Sequence, residues 1–195
     1  MCTRVGLYGG TFDPVHNGHI SIAHSFLNSY LIDELWILLT PYPPHKVNTR
    51  KTGYSDRLNM LRLAFNSSNI QIVTIENELP MPSYTYQTVE YLARKNSKIE
   101  FYYCLGGDSL TNFHTWKYPD KILQYVDLLI AERTGSKYSN VDELILSKST
   151  FVDHTPINVS STQIKSLLSK DESITHLVPP DVEKYIQNHQ LYSII

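Results

Sequence analysis

The chain reads as an α/β protein with a doubly wound parallel sheet, and three observations predict it. Short β-branched and apolar runs alternate with stretches whose apolar residues recur at helical spacing, throughout the 195 residues. The strand candidates are apolar enough to be buried on both faces, as parallel strands are. Glycine pairs, Gly9-Gly10 and Gly106-Gly107, follow two of them, where open α/β sheets form ligand crevices. No repeat, low-complexity tract or linker divides the chain, so a single Rossmann-like domain over residues 1–195 is expected.

Taken in order, Thr3-Arg4-Val5-Gly6-Leu7-Tyr8 is the first strand, and Ile20, Ile22, Ala23, Phe26 and Leu27 carry the first helix. Between them runs Gly9-Gly10-Thr11-Phe12-Asp13-Pro14-Val15-His16-Asn17-Gly18-His19. Such a strand-to-helix turn suits phosphates, because a helix N-terminus offers unpaired N–H groups and a partial positive charge. Gly9 and Gly10 let backbone approach a ligand, Pro14 stiffens the loop, and Asn17 is the expected N-cap. His16 and His19, three apart, share a face and can address one anion, with Gly18 leaving bare backbone between them. The plainer alternative is a tight turn with two surface histidines. The glycine pair and the strand-to-helix context count against it.

A second strand over 34–40 runs into Pro41-Tyr42-Pro43-Pro44-His45-Lys46, a stiff loop presenting two basic side chains. Residues 48–53 are polar. Ser55 is expected to cap a helix to about Phe65 that carries Leu58, Leu61, Leu63 and Phe65. A third strand covers 70–75, and Pro80 to Tyr86 leads into a helix with Val89, Leu92 and Ala93. The fourth strand, 99–105, ends in Gly106-Gly107-Asp108-Ser109, where Asp108 is either a crevice residue or the cap of the next helix. Phe113, Trp116 and Tyr118 follow. A fifth strand over 126–131 precedes Arg133-Thr134-Gly135, and Ser139 or Asn140 caps a helix with Val141, Leu144 and Ile145. Phe151-Val152 is a short sixth strand. Val159 to Lys165 opens a helix whose first-turn hydroxyls are caps or, with Lys165, a phosphate grip. Pro180 starts a last helix to about Asn188.

Composition narrows the class. Hydrophobic residues make up 42%, charged residues 18%, and the net charge is −2. That balance argues against a nucleic-acid polymer as main partner, so any cationic site is local. Cys2 and Cys104 lack disulfide or metal spacing, and Cys104 sits in an apolar run as a buried thiol. No apolar stretch approaches a membrane span and no signal-peptide core is present, so a cytoplasmic enzyme is expected. Walker A and GxGxxG patterns are absent, and the HxxH lacks the glutamate of HExxH.

The stretch GGTFDPVHNGH resembles the GxFDPxHxGH signature of the HxGH nucleotidyltransferase superfamily. Pro43-Pro44-His45-Lys46, Pro82-Ser83-Tyr84-Thr85, Gly106-Gly107-Asp108 with Phe113 and Trp116, and Ser160-Ser161-Thr162-Gln163-Ile164-Lys165 narrow it. Their order and approximate spacing are similar to those of bacterial nicotinate-nucleotide adenylyltransferases, over nearly the whole chain. The resemblance implies transfer of an adenylyl group from ATP to nicotinate mononucleotide, giving deamido-NAD and pyrophosphate in NAD biosynthesis. It implies catalytic roles for His16, His19 and Lys46. Nucleotide contacts would come from Gly9, Gly10, Thr11, Phe12, Gly18, Gly106, Asp108, Arg133, Ser161, Thr162 and Lys165. Acceptor contacts would come from His45, Tyr84, Thr85, Trp116 and Tyr118. Mg²⁺ is expected to arrive with ATP, with no dedicated protein metal site.

Trp116 offers the acceptor ring a stacking face, and the helix opened by Ser83-Tyr84-Thr85-Tyr86 offers its carboxylate N–H groups with no lysine or arginine nearby. One departure from the pattern is Lys165, where the closing motif usually has arginine with its bidentate fork. Three readings compete: a phosphopantetheine adenylyltransferase, a non-catalytic nucleotide-binding sensor and a histidine-based metal protein. Self-association into a homo-oligomer is compatible with the sequence.

Overall fold

The computed structural model of the chain describes residues 2–42, 52–132 and 138–192. Its six strands are Thr3–Gly10 (β1), Glu34–Leu39 (β2), Ile70–Val73 (β3), Ile99–Gly106 (β4), Asp127–Glu132 (β5) and Ser149–Asp153 (β6). They lie in the order β3-β2-β1-β4-β5-β6, and every neighbouring pair is parallel. The chain winds outward one way from β1 and then the other way from β4. The loops after those two strands therefore diverge to opposite faces and leave a crevice at the carboxyl edge between them.

The described residues form eight α-helices, of which the last two follow β6: Asn17–Asn28 (α1), Tyr54–Ala64 (α2), Thr85–Lys95 (α3), Gly107–Thr111 (α4), Pro119–Leu123 (α5), Glu143–Ser147 (α6), Ser161–Leu168 (α7) and Pro180–Asn188 (α8). The two-residue period of a strand sends alternate side chains to opposite layers. Leu35, Ile37 and Leu39 of β2 and Cys104 of β4 pack with Phe26 of α1, Met60 of α2, Ile164 of α7 and Ile186 of α8. On the other face, Val5 and Leu7 of β1 and Phe101, Tyr103 and Leu105 of β4 meet Val89 of α3, Ile122 of α5 and Ile145 of α6. Each fully buried Leu, Ile or Phe contributes roughly 1.5–3 kcal/mol relative to exposure. Among the described residues, no helix is long and apolar enough to cross a membrane.

The expected strands are all present, but several helix ends differ from expectation. His16, not Asn17, caps α1, because the Asn17 amide donates to the His176 carbonyl at 2.8 Å instead. Helix α2 begins at Tyr54 behind Gly53, so Ser55 falls inside its first turn. Asp142 rather than Ser139 or Asn140 caps α6, its carboxylate accepting from the Leu144 N–H at 2.8 Å. Ile75 leaves the third strand for a 3₁₀ turn, Ile75–Asn77.

Candidate active site

The crevice is built outward from the first motif. The N-terminal end of α1 is closed by its two histidines: the His19 N–H donates to His16 Nδ1 at 3.4 Å, and the His16 N–H donates to His19 Nδ1 at 3.2 Å. This is a reciprocal capping box made from imidazoles. The rings stack with centroids 3.6 Å apart. Because each Nδ1 accepts a hydrogen bond, it carries no proton in the neutral ring, and Nε2 holds the N–H. Burial pulls the His16 pKa down to about 4, so that ring is neutral at pH 7. The pair is thus fitted to donate hydrogen bonds from Nε2.

The loop ahead of the histidines is held on several sides. Phe12, buried and at φ 45°, sets its ring against Tyr8 and His19, with centroids 5.6 and 4.9 Å away. Arg57 of α2 is 2% exposed, and its guanidinium donates to the carbonyls of Thr11 at 2.8 Å and Thr40 at 3.0 Å. From α7, Ser161 Oγ donates to the Pro14 carbonyl at 2.9 Å. Lys165, expected on the phosphates, pairs with Asp13 at 2.5 Å, and the Tyr192 hydroxyl donates to the other Asp13 oxygen at 2.8 Å. Thr162 is exposed.

A cleft of about 530 Å³ opens beside the histidines. Gly9, Gly10, His16, Gly18 and His19 form one wall, Gly106, Gly107, Asp108 and Ser109 a second, and Glu132, His154, Ile157 and Val159 a third. At Gly18 an added Cβ would sit 3.0 Å from Val159 and 3.1 Å from His16 Nδ1, so any side chain there would press on the histidine pair. Ser161, Thr162 and Lys165 flank the loop and do not line this cleft.

The residues assigned to the acceptor gather on the opposite side of β1 and β4. Thr85 is the first residue of α3, and Tyr84 is its N-cap, with no side chain capping the helix. The Trp116 ring is tilted against Phe113 at 5.2 Å and set edge-on to Tyr103 at 5.9 Å. Tyr118, at φ 54°, lies half-exposed across Tyr86 at 5.0 Å. Tyr103, 5% exposed, joins the two sides. An added Cβ on Gly9 would come within 2.4 Å of its hydroxyl. Only glycine fits there.

His45, Lys46 and Arg133, together with the rest of the loop after Tyr42 and the Arg133-Thr134-Gly135 turn, lie outside the described residues. The sequence singled out neither Tyr103, Arg57, His154 nor Tyr192. Arg57 and Tyr103 sit within amphipathic and apolar patterns and carry no local signal.

Fold and site together define the nucleotidyltransferase class of α/β proteins. Residues 7–167 match the family model described as cytidylyltransferase-like, and the chain belongs to that family, among its nicotinate-nucleotide adenylyltransferases. The nicotinate-nucleotide adenylyltransferase of Bacillus subtilis is 31% identical, with 97% of this chain aligned to 98% of that one. A relative from Halalkalibacterium halodurans, named as a probable nicotinate-nucleotide adenylyltransferase, is 36% identical over 97% of this chain and 91% of its own. Among solved structures, the Plasmodium falciparum nicotinic acid mononucleotide adenylyltransferase complexed with NaAD has a TM-score of 0.80. It is 24% identical and covers 97% of both chains, which shows the shared fold.

Proposed function

We propose that this chain, working as one domain, transfers the adenylyl group of ATP to nicotinate mononucleotide, giving nicotinate adenine dinucleotide and pyrophosphate. The observation that carries the reading is the arrangement around Tyr103. Gly9, assigned to the nucleotide donor, lies against the Tyr103 hydroxyl, and Trp116, assigned to the acceptor, sets its ring edge-on to the same buried tyrosine. The names of relatives aligned over nearly the whole chain support it.

An oxygen of the acceptor's phosphate attacks the α-phosphorus of ATP, and the bond from that phosphorus to the β-phosphate oxygen breaks. A phosphate monoester has its second pKa near 6 and is mostly dianionic at neutral pH, so no general base is required. The difficulty is charge: two anions meet, and more charge builds on the leaving pyrophosphate. Catalysis is then positioning and electrostatic stabilisation. His16 and His19 donate Nε2–H to the transferring phosphoryl oxygens, and the open backbone of Gly9 and Gly10 admits the phosphates. Lys46 and Arg133 add charge, His45 contacts the acceptor, and Asp108 orders the nucleotide ribose. Trp116 stacks on the acceptor ring, and the α3 N-terminus at Thr85 receives its carboxylate.

Mg²⁺ arriving with ATP would be held mainly by triphosphate and water oxygens. When bound, the ion neutralises triphosphate charge.

The test is to supply the purified protein with ATP, Mg²⁺ and each of nicotinate mononucleotide, nicotinamide mononucleotide and phosphopantetheine. Pyrophosphate and the dinucleotide should form fastest with the first. No pyrophosphate with either mononucleotide would refute the reading.

A further inference from the structure

We infer that Lys117 and Lys121 select the acceptor by its negative charge, an inference that rests on the proposed acceptor above. The sequence suggested that no lysine stood near the start of α3, and the structure corrects this. Lys117 Nζ lies over the Tyr84 ring at 5.1 Å and the Tyr118 ring at 5.4 Å. Lys121 Nζ lies over Tyr118 at 4.9 Å and Tyr86 at 5.8 Å. Tyr84 and Tyr86 stack at 6.0 Å, so three rings and two ammonium groups form one cluster at the start of α3.

The charges in this cluster all have one sign. Two ammonium groups share a single tyrosine ring, next to the positive end of an 11-residue helix whose end no side chain caps. Among the described residues, neither lysine forms an ion pair, although Asp120 lies beside Lys121 in the chain. Ring quadrupoles offset part of this repulsion, but the arrangement favours an anion. Ser83, immediately ahead of α3, is 8% exposed, and among the described residues its hydroxyl has no partner.

The two pyridine mononucleotides differ there by one charge. Stacking on Trp116 treats their rings alike, and helix N–H groups hydrogen-bond an amide oxygen as well as a carboxylate oxygen. Lys117 and Lys121 respond to the charge itself. They sit on the exposed rim, where charges act on capture and salt dependence more than on the chemical step.

The experiment is steady-state kinetics of wild type, Lys117→Gln/Lys121→Gln and Lys117→Arg/Lys121→Arg with both mononucleotides, at low and high salt. In the glutamine variant, kcat/KM for the nicotinate form should fall about 10-fold at low salt, and that for the nicotinamide form about 3-fold or less. Its salt dependence should flatten, the KM for ATP should hold, and the arginine variant should keep the wild-type ratio. An unchanged ratio and salt response, in a protein that does use nicotinate mononucleotide, would overturn the lysine assignment alone. A wild-type protein that uses neither mononucleotide would overturn the acceptor reading and this inference with it.

Discussion

The two imidazoles of the first motif are fixed by the same pair of hydrogen bonds that closes the end of α1. Structure and chemistry therefore share His16, and a substitution has to separate them. His16→Ala removes both. His16→Asn keeps a good N-cap and removes only the ring, so stability should stay within about 1 kcal/mol of wild type. Turnover should still fall by about 10²–10³, as for loss of one transition-state donor. Near-normal turnover in the asparagine variant would take His16 out of the mechanism. The same residue makes a pH prediction. Its folded pKa, about 4, lies below the unfolded value of about 6.5. Between those values the unfolded chain binds more protons, so stability is full above about pH 6.5 and is lost as pH falls toward 4. Buried His154, whose pKa is also lowered by burial, acts in the same direction. Urea titrations should show wild type losing up to about 1.4 kcal/mol more per pH unit than His16→Asn in that window. Parallel curves would contradict the assignment.

At the scale of elements, α2 shows what a hydrophobic pattern conceals. Leu58, Leu61, Leu63 and Phe65 are the main apolar residues that its sequence offers. Leu63 is 38% exposed, whereas Arg57 is among the most buried side chains of the fold. Arg57 donates to carbonyls from three segments: Thr11 after β1, Thr40 and Pro41 after β2, and Thr52 before α2. One helix thereby sets the spacing of the loops along the crevice edge. Arg57→Met should cost about 2–4 kcal/mol by chemical denaturation, since the buried carbonyls lose their donors. Arg57→Lys should fall between, because an ammonium cannot reproduce the fork. A methionine variant within about 0.5 kcal/mol of wild type would refute the clamp. The contrast explains what the sequence could disclose. Strands buried on both faces are continuous apolar runs, and the Gly-Gly turn with its two histidines is contiguous, so both were legible. The cap of α1 was not, because it depended on where the Asn17 amide found its acceptor, at His176. Tyr103 was not legible either, since Gly9 and Trp116 reach it from two separate segments.

Across the whole molecule, the end of the chain folds back to hold its beginning. Ser161 and Lys165 lie 147 and 152 residues beyond Pro14 and Asp13, yet bond to them directly. Tyr192 adds its hydroxyl to Asp13, and Tyr185 of α8 donates to Asp56 of α2 at 3.0 Å. The site is therefore complete only when the last helices dock, which links folding of the C-terminal elements to nucleotide use. Lys165 decides how that link operates. Its ammonium is paired with a carboxylate that is 5% exposed, which predicts an effect on ATP through the loop rather than by touching phosphate. Lys165→Ala leaves Asp13 short of its ion partner. It should cost about 1–3 kcal/mol, below the figure for a fully buried pair because the lysine is 35% exposed. The KM for ATP should rise about 10-fold as the loop loosens. Lys165→Arg should keep both values near wild type, since a guanidinium also satisfies Asp13. The deciding variant is Lys165→Ala/Asp13→Asn, which removes the unpaired charge and leaves a neutral side chain to accept from Tyr192. If the lysine works through the loop, the double variant should recover most of the lost stability together with most of the lost ATP affinity. Recovery of stability with the KM for ATP still raised about 10-fold would instead assign the Lys165 ammonium to the triphosphate itself.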